Sequence, residues 1–353
     1  MNGRPSLPVI ESIRNRPVMY LGSVNSYGIR RLMKMLITDY LEDVTGLSTI
    51  EITFNPDSFV SVVISGAPVD ELLHEVAFLQ EISSGKNFKI ALLIAIARFV
   101  LVRVVVDGEI HSVTSHAGIY EMETHPADGA PNGIKVDFQL EENIFRNNQV
   151  AYIPMNIMLQ QLAYLNAGLK IISVDNRGEL QRNVFYFRTG ISELFNDLLD
   201  KHDYGSMNAW LPIELKTAIN GYILHVILRY HHIYTVHPAP YIRSFANNES
   251  TKGHGSLVDG VLKGLEDAFL EVGEKEGVEL KVNKKRIGKM LVLFAAVKGE
   301  PLTYAGRSKD KLDMPALKKD VRKFVKRGVL KYLEGNPGDR RRVLEKFMKK
   351  EDK

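Results

Sequence analysis

Between Gly28 and Val44, apolar residues recur at Ile29, Leu32, Met33, Leu36, Ile37, Tyr40, Leu41 and Val44, the spacing of an amphipathic helix. Two short β-prone runs, EITFN and FVSVVIS, follow on either side of the turn residues PDS and predict two strands. Asp70–Ile82 and Asn87–Phe99 read as helices, and FVLVRVVVDGE as a buried strand entering an Asp107-Gly108 hairpin turn. GIKVDFQL, LKIISVDNRG and NVFYF predict further strands, with a helix at Met155–Asn166. The helix Ile191–Leu199 runs into DKHDYGSMN, a polar stretch suited to a domain boundary. Beyond it, YILHVILRY and TVHPAPYIRSFANN are strand-like, Ser256–Val272 is helical, and KMLVLFAAVKG is a strand before the loop EPLTYAGRSKDKL. Asp313 is placed to N-cap a helix reaching Leu333, with Pro315 in its first turn and Leu317, Val321, Phe324 and Val325 inward. Asp339 is placed to cap a last helix through Met348. The pattern predicts two α+β domains, 1–205 and 206–353, without internal repeats.

Composition narrows the function classes. At 353 residues the chain has room for two cores. Its most apolar stretch, Ile90–Phe99, is interrupted by Arg98 and too short for a bilayer, and no charged-then-apolar leader precedes the body. The expectation is a cytoplasmic protein with no membrane partner. Zero cysteines exclude disulfides, thiolate metal sites and thiol catalysis.

Charge changes the picture more. From Lys281 onward there are 23 Lys and Arg against 9 Asp and Glu, while the first 280 residues hold 23 against 33. A basic module on an acidic body points to a polyanion, and double-stranded DNA is the expected partner. Candidate contacts are Lys284, Lys285, Arg286, Arg322, Lys326, Arg340, Arg341 and Arg342. The last three are equally a solvated helix face or a phosphate clamp. In HHIYTVH, strand alternation sends His231 and His232 to opposite faces, and without Cys or a spaced carboxylate these residues and His237 predict no zinc site. His254, in KGHGS, reads as a helix-start contact, and no nucleophile elbow supports Ser-His-Asp catalysis.

Four stretches bring in a family. IRNRPVMYLGS, NVFYFRTGISELFNDLL, YIRSFANNESTKGHGSLVDGVLKGL and GRSKDKLDMPALKKDVRKFVKRGVLKYLEGNP occur in this order across nearly the whole chain. Together they resemble the N-terminal region of the DNA gyrase and topoisomerase IV B subunits. The resemblance implies a GHKL (Bergerat)-like α/β sandwich followed by a ribosomal-S5-domain-2-like transducer, and in that family ATP-driven dimerisation closes a gate over a DNA duplex.

The resemblance also implies where the chemistry should be. The family's water-activating glutamate falls on Met35 and its Mg²⁺-holding asparagine on Asp39. A thioether takes no proton, whereas Asp39 keeps an oxygen ligand. Glu42 and Asp43 read as the solvated end of the helix. In VVISGAPVD the adenine-binding aspartate falls on Ile64, Gly66 is retained, and Pro68 takes the second glycine's place. The lost hydrogen bond alone costs adenine binding about 1–3 kcal/mol. SSGKNFK stands where the family has a phosphate-cradling glycine run, leaving Gly85 out of register, with Lys86 and Lys89 readable as anion attractors or as ordinary surface. The family's adenine-side threonine falls on Ile134. The transducer lysine that contacts the γ-phosphate is retained as Lys309, with Arg307 in place of glutamine.

These readings predict a pseudo-ATPase. ATP and Mg²⁺ are expected to be lost as cofactors, with Met35, Ile64 and Ile134 packed into the nucleotide space. In IRNRPVMYLGS, Met19, Tyr20 and Leu21 are expected to pin the segment to the domain and Gly22 to turn the chain toward the helix. Only a dozen residues precede Ile13, a short arm for a family whose arm wraps a partner subunit, and the chain stops where the transducer stops, so DNA cleavage is not expected. The functional expectation is a homodimeric DNA-binding clamp or a regulatory partner of a topoisomerase. A divergent ATPase using Asp39, and a protein-interaction module that binds no DNA, are the alternatives.

Overall fold

The computed structural model describes residues 8–43, 46–80, 82, 88–145, 149–201, 209–230, 240–306 and 309–348. They form two compact units, Met1–Gly190 and Ile191–Lys353. The division precedes the polar 200–208 stretch, since the helix Ile191–Lys201 packs in the second unit, where Phe195 meets Phe294 edge-on and Ser192 bonds Glu214.

The first unit runs α1 (Pro8–Asn15), α2 (Pro17–Leu21), α3 (Ser26–Asp43), β1 (Thr49–Phe54), β2 (Phe59–Ser65), α4 (Val69–Gln80), α5 (Phe88–Ile96), β3 (Ala97–Val106), β4 (Glu109–His116), β5 (Ile119–Pro126), β6 (Gly133–Leu140), α6 (Tyr152–Leu165), β7 (Lys170–Asp175) and β8 (Gln181–Tyr186). Its mixed eight-stranded sheet has the order β5-β4-β3-β6-β2-β1-β7-β8, with β1 and β7 parallel. Alternate strand residues, including Ile50, Ile52, Val60, Val62, Val102 and Val136, share one core with Ile29, Leu32, Met33, Leu36 and Ile37 of α3 and with Leu159 and Leu162 of α6. On the other face Asp137 is buried but satisfied, accepting from Ser61, Arg103 and Lys135.

Three expectations shift here. The helix expected to reach Phe99 stops at Ile96 and becomes β3, because Ile90–Ile96 are all buried and present no polar face to distinguish helix from strand. β4 and β5 extend the sheet beyond the Asp107-Gly108 turn. Met19 does not pin its segment: it is 73% exposed, while Leu21 is buried and Tyr20 rests against Phe88. Gly22 does make the turn, closing α2 at φ +76° with its N–H donating to the Val18 carbonyl.

The second unit begins with α7, the helix Ile191–Lys201, and continues with β9 (Trp210–Ile219), β10 (Tyr222–Tyr230), β11 (Tyr241–Ala246), β12 (Glu249–Ser250), β13 (His254–Gly255), α8 (Ser256–Lys275), α9 (Lys284–Gly288), β14 (Leu291–Lys298), β15 (Lys311–Leu312), α10 (Pro315–Gly335) and α11 (Pro337–Phe347). The sheet order is β12-β11-β14-β10-β9. α8 and α10 pack closely because Gly260 and Gly264 leave room for a neighbouring backbone: a Cβ at Gly260 would lie 2.8 Å from the Lys318 carbonyl, and one at Gly264 2.7 Å from that of Arg322. Neither acid expected to cap a helix does so. Met314 is the N-cap of α10, and Asn336 that of α11. Asp339 instead sits inside the first turn of α11 and ties elements together, accepting from the Leu211 N–H and the Tyr332 hydroxyl. No helix among the described residues is long and apolar enough to cross a membrane.

Candidate functional site

In the first unit, the positions matched to nucleotide chemistry are drawn into the core. Ile64 is the penultimate residue of β2 and Ile134 the second of β6, and the antiparallel register sets them directly opposite each other. The same row continues through Ile50 of β1 to Ile171 of β7 on one side, and to Val104 of β3 on the other. All five side chains are at most 1% exposed. The position matched to the adenine aspartate is therefore the middle of an apolar rung crossing five strands, where a carboxylate would lose its water and gain no partner. Met35 packs against the same core cluster, while Asp39 is half-buried and Glu42 exposed. Gly66 has a local reason to be glycine: at φ +92°, a Cβ there would lie 2.3 Å from the Ser48 hydroxyl. Met35 and Ile64 offer neither a proton acceptor nor a carboxylate, whereas Asp39 and Glu42 of α3 keep carboxylates that can accept a proton or ligate a cation.

Lys89, a candidate anion attractor, is turned inward. Its ammonium donates to Glu75 at 3.0 Å and stands 4.0 Å from the centre of the Tyr40 ring, and the two charged side chains are 6% and 3% exposed. The sequence suggested a surface charge because it cannot show that α4 brings Glu75 beside the start of α5. Arg14 is likewise structural, chelating Glu141 and donating to the Ala95 carbonyl. Lys86 lies outside the described residues, as do Arg307, His231, His232 and His237. Lys309 is described and exposed, at φ +55°, with its ammonium 5.9 Å from the Tyr304 ring.

The basic candidates of the second unit are mostly neutralised by acids. Lys284 pairs with Asp259, Arg322 with Asp267, and Lys326 with Glu271. Arg340 pairs with Glu276, Arg341 with Glu345, and Arg342 with Asp339. Arg286 spends its guanidinium on the carbonyls of Lys281, Lys346 and Phe347. Lys285 is exposed and has no acid partner among the described residues.

Known proteins share this architecture. Residues 207–353 match the DNA gyrase B family model. The gyrase B subunit of Archaeoglobus fulgidus is 26% identical over 96% of this chain. The ATPase domain of Thermus thermophilus gyrase B, solved with an aminocoumarin, superposes with a TM-score of 0.79 at 21% identity, covering 96% of this chain and 94% of that one. The Myxococcus xanthus gyrase B-subunit gives a TM-score of 0.77 at 20% identity, covering 96% and 99%. The chain is gyrase B-like. Over nearly its whole length it is similar to the N-terminal region of gyrase and topoisomerase IV B subunits. It spans 57% of the Archaeoglobus protein's length, a little over half.

This gyrase B-like chain holds features that its sequence did not announce. A cavity of about 660 Å³ lies around Asn55, Asp57, Glu142, Asp175 and Arg177, at the end of β2 remote from Ile64. There the Arg177 guanidinium grips both Asp175 oxygens and the Val150 carbonyl, and holds the Asp175 carboxyl below its usual range. A smaller one, about 310 Å³, opens at Ile64 and Ile134 themselves, with Val63, Ser65, Asn132 and Lys135 beside them, so the space next to these two positions is not wholly filled. In the second unit, the Lys346 ammonium lies 3.6 Å from the Tyr230 ring centre and 5.4 Å from that of Trp210, and donates to the Lys289 carbonyl. Burial, with Lys289 and Arg286 nearby, pushes its amine down to about 7. His254, in β13, bonds the buried Ser244 hydroxyl of β11 at 2.9 Å, and Gly255 begins α8 without a side-chain cap, so the histidine ties two strands together instead of contacting the helix start.

Proposed function

We propose that this gyrase B-like chain is a pseudo-ATPase: it keeps the frame of the B-subunit N-terminal region without hydrolysing ATP. It acts as a DNA-binding clamp or as a regulatory partner of a type IIA topoisomerase, in the cytoplasm and as a homodimer. The observation that carries this reading is the apolar rung Ile171–Ile50–Ile64–Ile134–Val104, which replaces the adenine-reading carboxylate with buried aliphatic surface. The thioether of Met35, matched to the catalytic base, supports it. The excess of basic over acidic residues from Lys281 onward, 23 against 9, supports a polyanion partner.

The test is phosphate release and calorimetry with millimolar ATP and Mg²⁺, in which neither turnover nor nucleotide heat is expected. Turnover abolished by Asp39→Ala would establish the divergent ATPase instead. Duplex DNA binding at about 50 mM salt, weakening steeply as salt rises, is expected of the clamp. Its absence would leave a protein-interaction module.

A further inference from the structure

We infer that the outward face of α10, formed by Lys319, Lys323, Arg327 and Lys331, is the surface that grips the sugar-phosphate backbone of duplex DNA. The inference rests on the DNA-binding reading above and gives it a location different from the one the sequence suggested.

The helix carries seven basic residues and two acids. Its basic residues divide by direction. Arg322 and Lys326 face α8, where Asp267 and Glu271 neutralise them. Val321 and Val325 lie against Gly260 and Gly264 of α8, and Gly328 lies against Leu215 of β9, so these positions fix which sides of α10 are covered. Lys319, Lys323, Arg327 and Lys331 all lie in the remaining sector, and all are exposed. Among the described residues none of the four has an acid partner. The nearby acid Asp320 is engaged with the Asn220 amide, and Glu334 lies at the helix end.

Four like charges spaced by four residues repel one another along a helix. Neighbouring cations on the same helix are paired with acids of α8, whereas this face carries four cations against the two acids of α10 itself, Asp320 and Glu334, and none of the four is ion-paired among the described residues. An external polyanion relieves that repulsion. The geometry suits a duplex: each step rises about 6 Å, so the stripe extends about 18 Å. One DNA strand presents a phosphate about every 3.4 Å along the axis, so several phosphates lie within reach of the four cations. The stripe also turns by about 40° per step, as four residues exceed a turn of about 3.6 residues, and it therefore winds across the helix surface. No base-reading geometry is present, so the contact is independent of sequence.

The experiment uses the full chain and a labelled duplex of about 20 base pairs, with affinity followed by anisotropy between about 50 and 200 mM salt. Replacing all four residues, Lys319→Gln, Lys323→Gln, Arg327→Gln and Lys331→Gln, should lower the slope of log affinity against log salt by about 3 to 4, roughly 0.9 for each phosphate no longer neutralised. The control variant Arg322→Gln with Lys326→Gln should lower it by less than about 1, since those cations are already paired. Glutamine keeps the helix propensity, and an unchanged thermal midpoint shows that the fold is intact. Wild-type binding with the same slope in the four-residue variant would overturn the inference and leave the DNA-binding reading standing. No wild-type binding at about 50 mM salt would overturn that reading itself. Polyglutamate competing as well as unlabelled duplex at equal charge would assign the face to an acidic protein and overturn the inference.

Discussion

The two units handle charge in opposite ways. In the first, Ile64 and Ile134, two of the positions matched to nucleotide chemistry, belong to an apolar rung of strand side chains, and Lys89 turns inward onto Glu75 and Tyr40. In the second, most of the charge described stays at the surface: α8 supplies acids to Arg322 and Lys326 of α10 and leaves Lys319, Lys323, Arg327 and Lys331 without an ion pair among the described residues. Lys89 and Arg322 look alike as basic residues at candidate positions. One is a structural part of a core and the other half of an exposed pair, and burial alone separates them. Removing the counter-ion strands a charge in the first unit, whereas in the second it returns a charge to water.

The comparison breaks most directly at Ile64. Ile64→Asp puts a carboxylate at the position matched to the family's adenine-binding aspartate and should cost about 4 kcal/mol or more in denaturant unfolding, since it buries an unpaired carboxylate among aliphatic neighbours. A loss below about 1 kcal/mol would mean that the rung tolerates a polar group and the space is open.

Lys346 is where the second unit behaves like the first. Its amine is depressed to about 7 in the folded chain and returns to about 10.5 on unfolding, so between those values the unfolded state binds more protons. Stability should therefore rise from about pH 7 toward about pH 10.5, by on the order of 4 kcal/mol, and be unaffected by this group below about pH 7. Lys346→Met should flatten that rise in chemical denaturation followed across pH.

Lys89→Met leaves Glu75 buried without its cation and should lower stability by about 3 kcal/mol, while adding Glu75→Leu should recover most of the loss. If the single variant proves neutral, water reaches the pair and the contrast between the units weakens. Arg341→Ala in the second unit removes an exposed i,i+4 pair with Glu345 and should cost less than about 0.5 kcal/mol. Measured side by side, Lys89→Met and Arg341→Ala give the ratio that defines the difference between the units.

Local pattern made much of the architecture legible. The periodicity from Ile29 to Tyr40 located α3, and PDS located the β1–β2 turn, because both signals are local. Other elements lacked such a signal. β9 was not predicted: Pro212 sits within it, and a proline in a strand reads as an interruption unless the strand is at the sheet's edge, as β9 is. β4 and β5 alternate poorly because polar residues such as Ser112 and Ser115 of β4 are buried. At the candidate site, residue identity was legible, since Met35 and Ile64 carry no carboxylate in any fold. The basic surface was not: charge counts identified the module but not its unpaired face.

By itself, then, the sequence determined most of the element types, the gyrase B-like order of its motifs, and the absence of a base at Met35 and of a carboxylate at Ile64. Those follow from residue identity and short-range periodicity. The tertiary structure decided that Ile64 faces Ile134, that Lys89 turns to Glu75, and that α8 neutralises Arg322 and Lys326 but not Lys319, Lys323, Arg327 and Lys331. The physical reason is that strand register and helix packing join residues far apart in the chain, and a charge's environment is set by those neighbours.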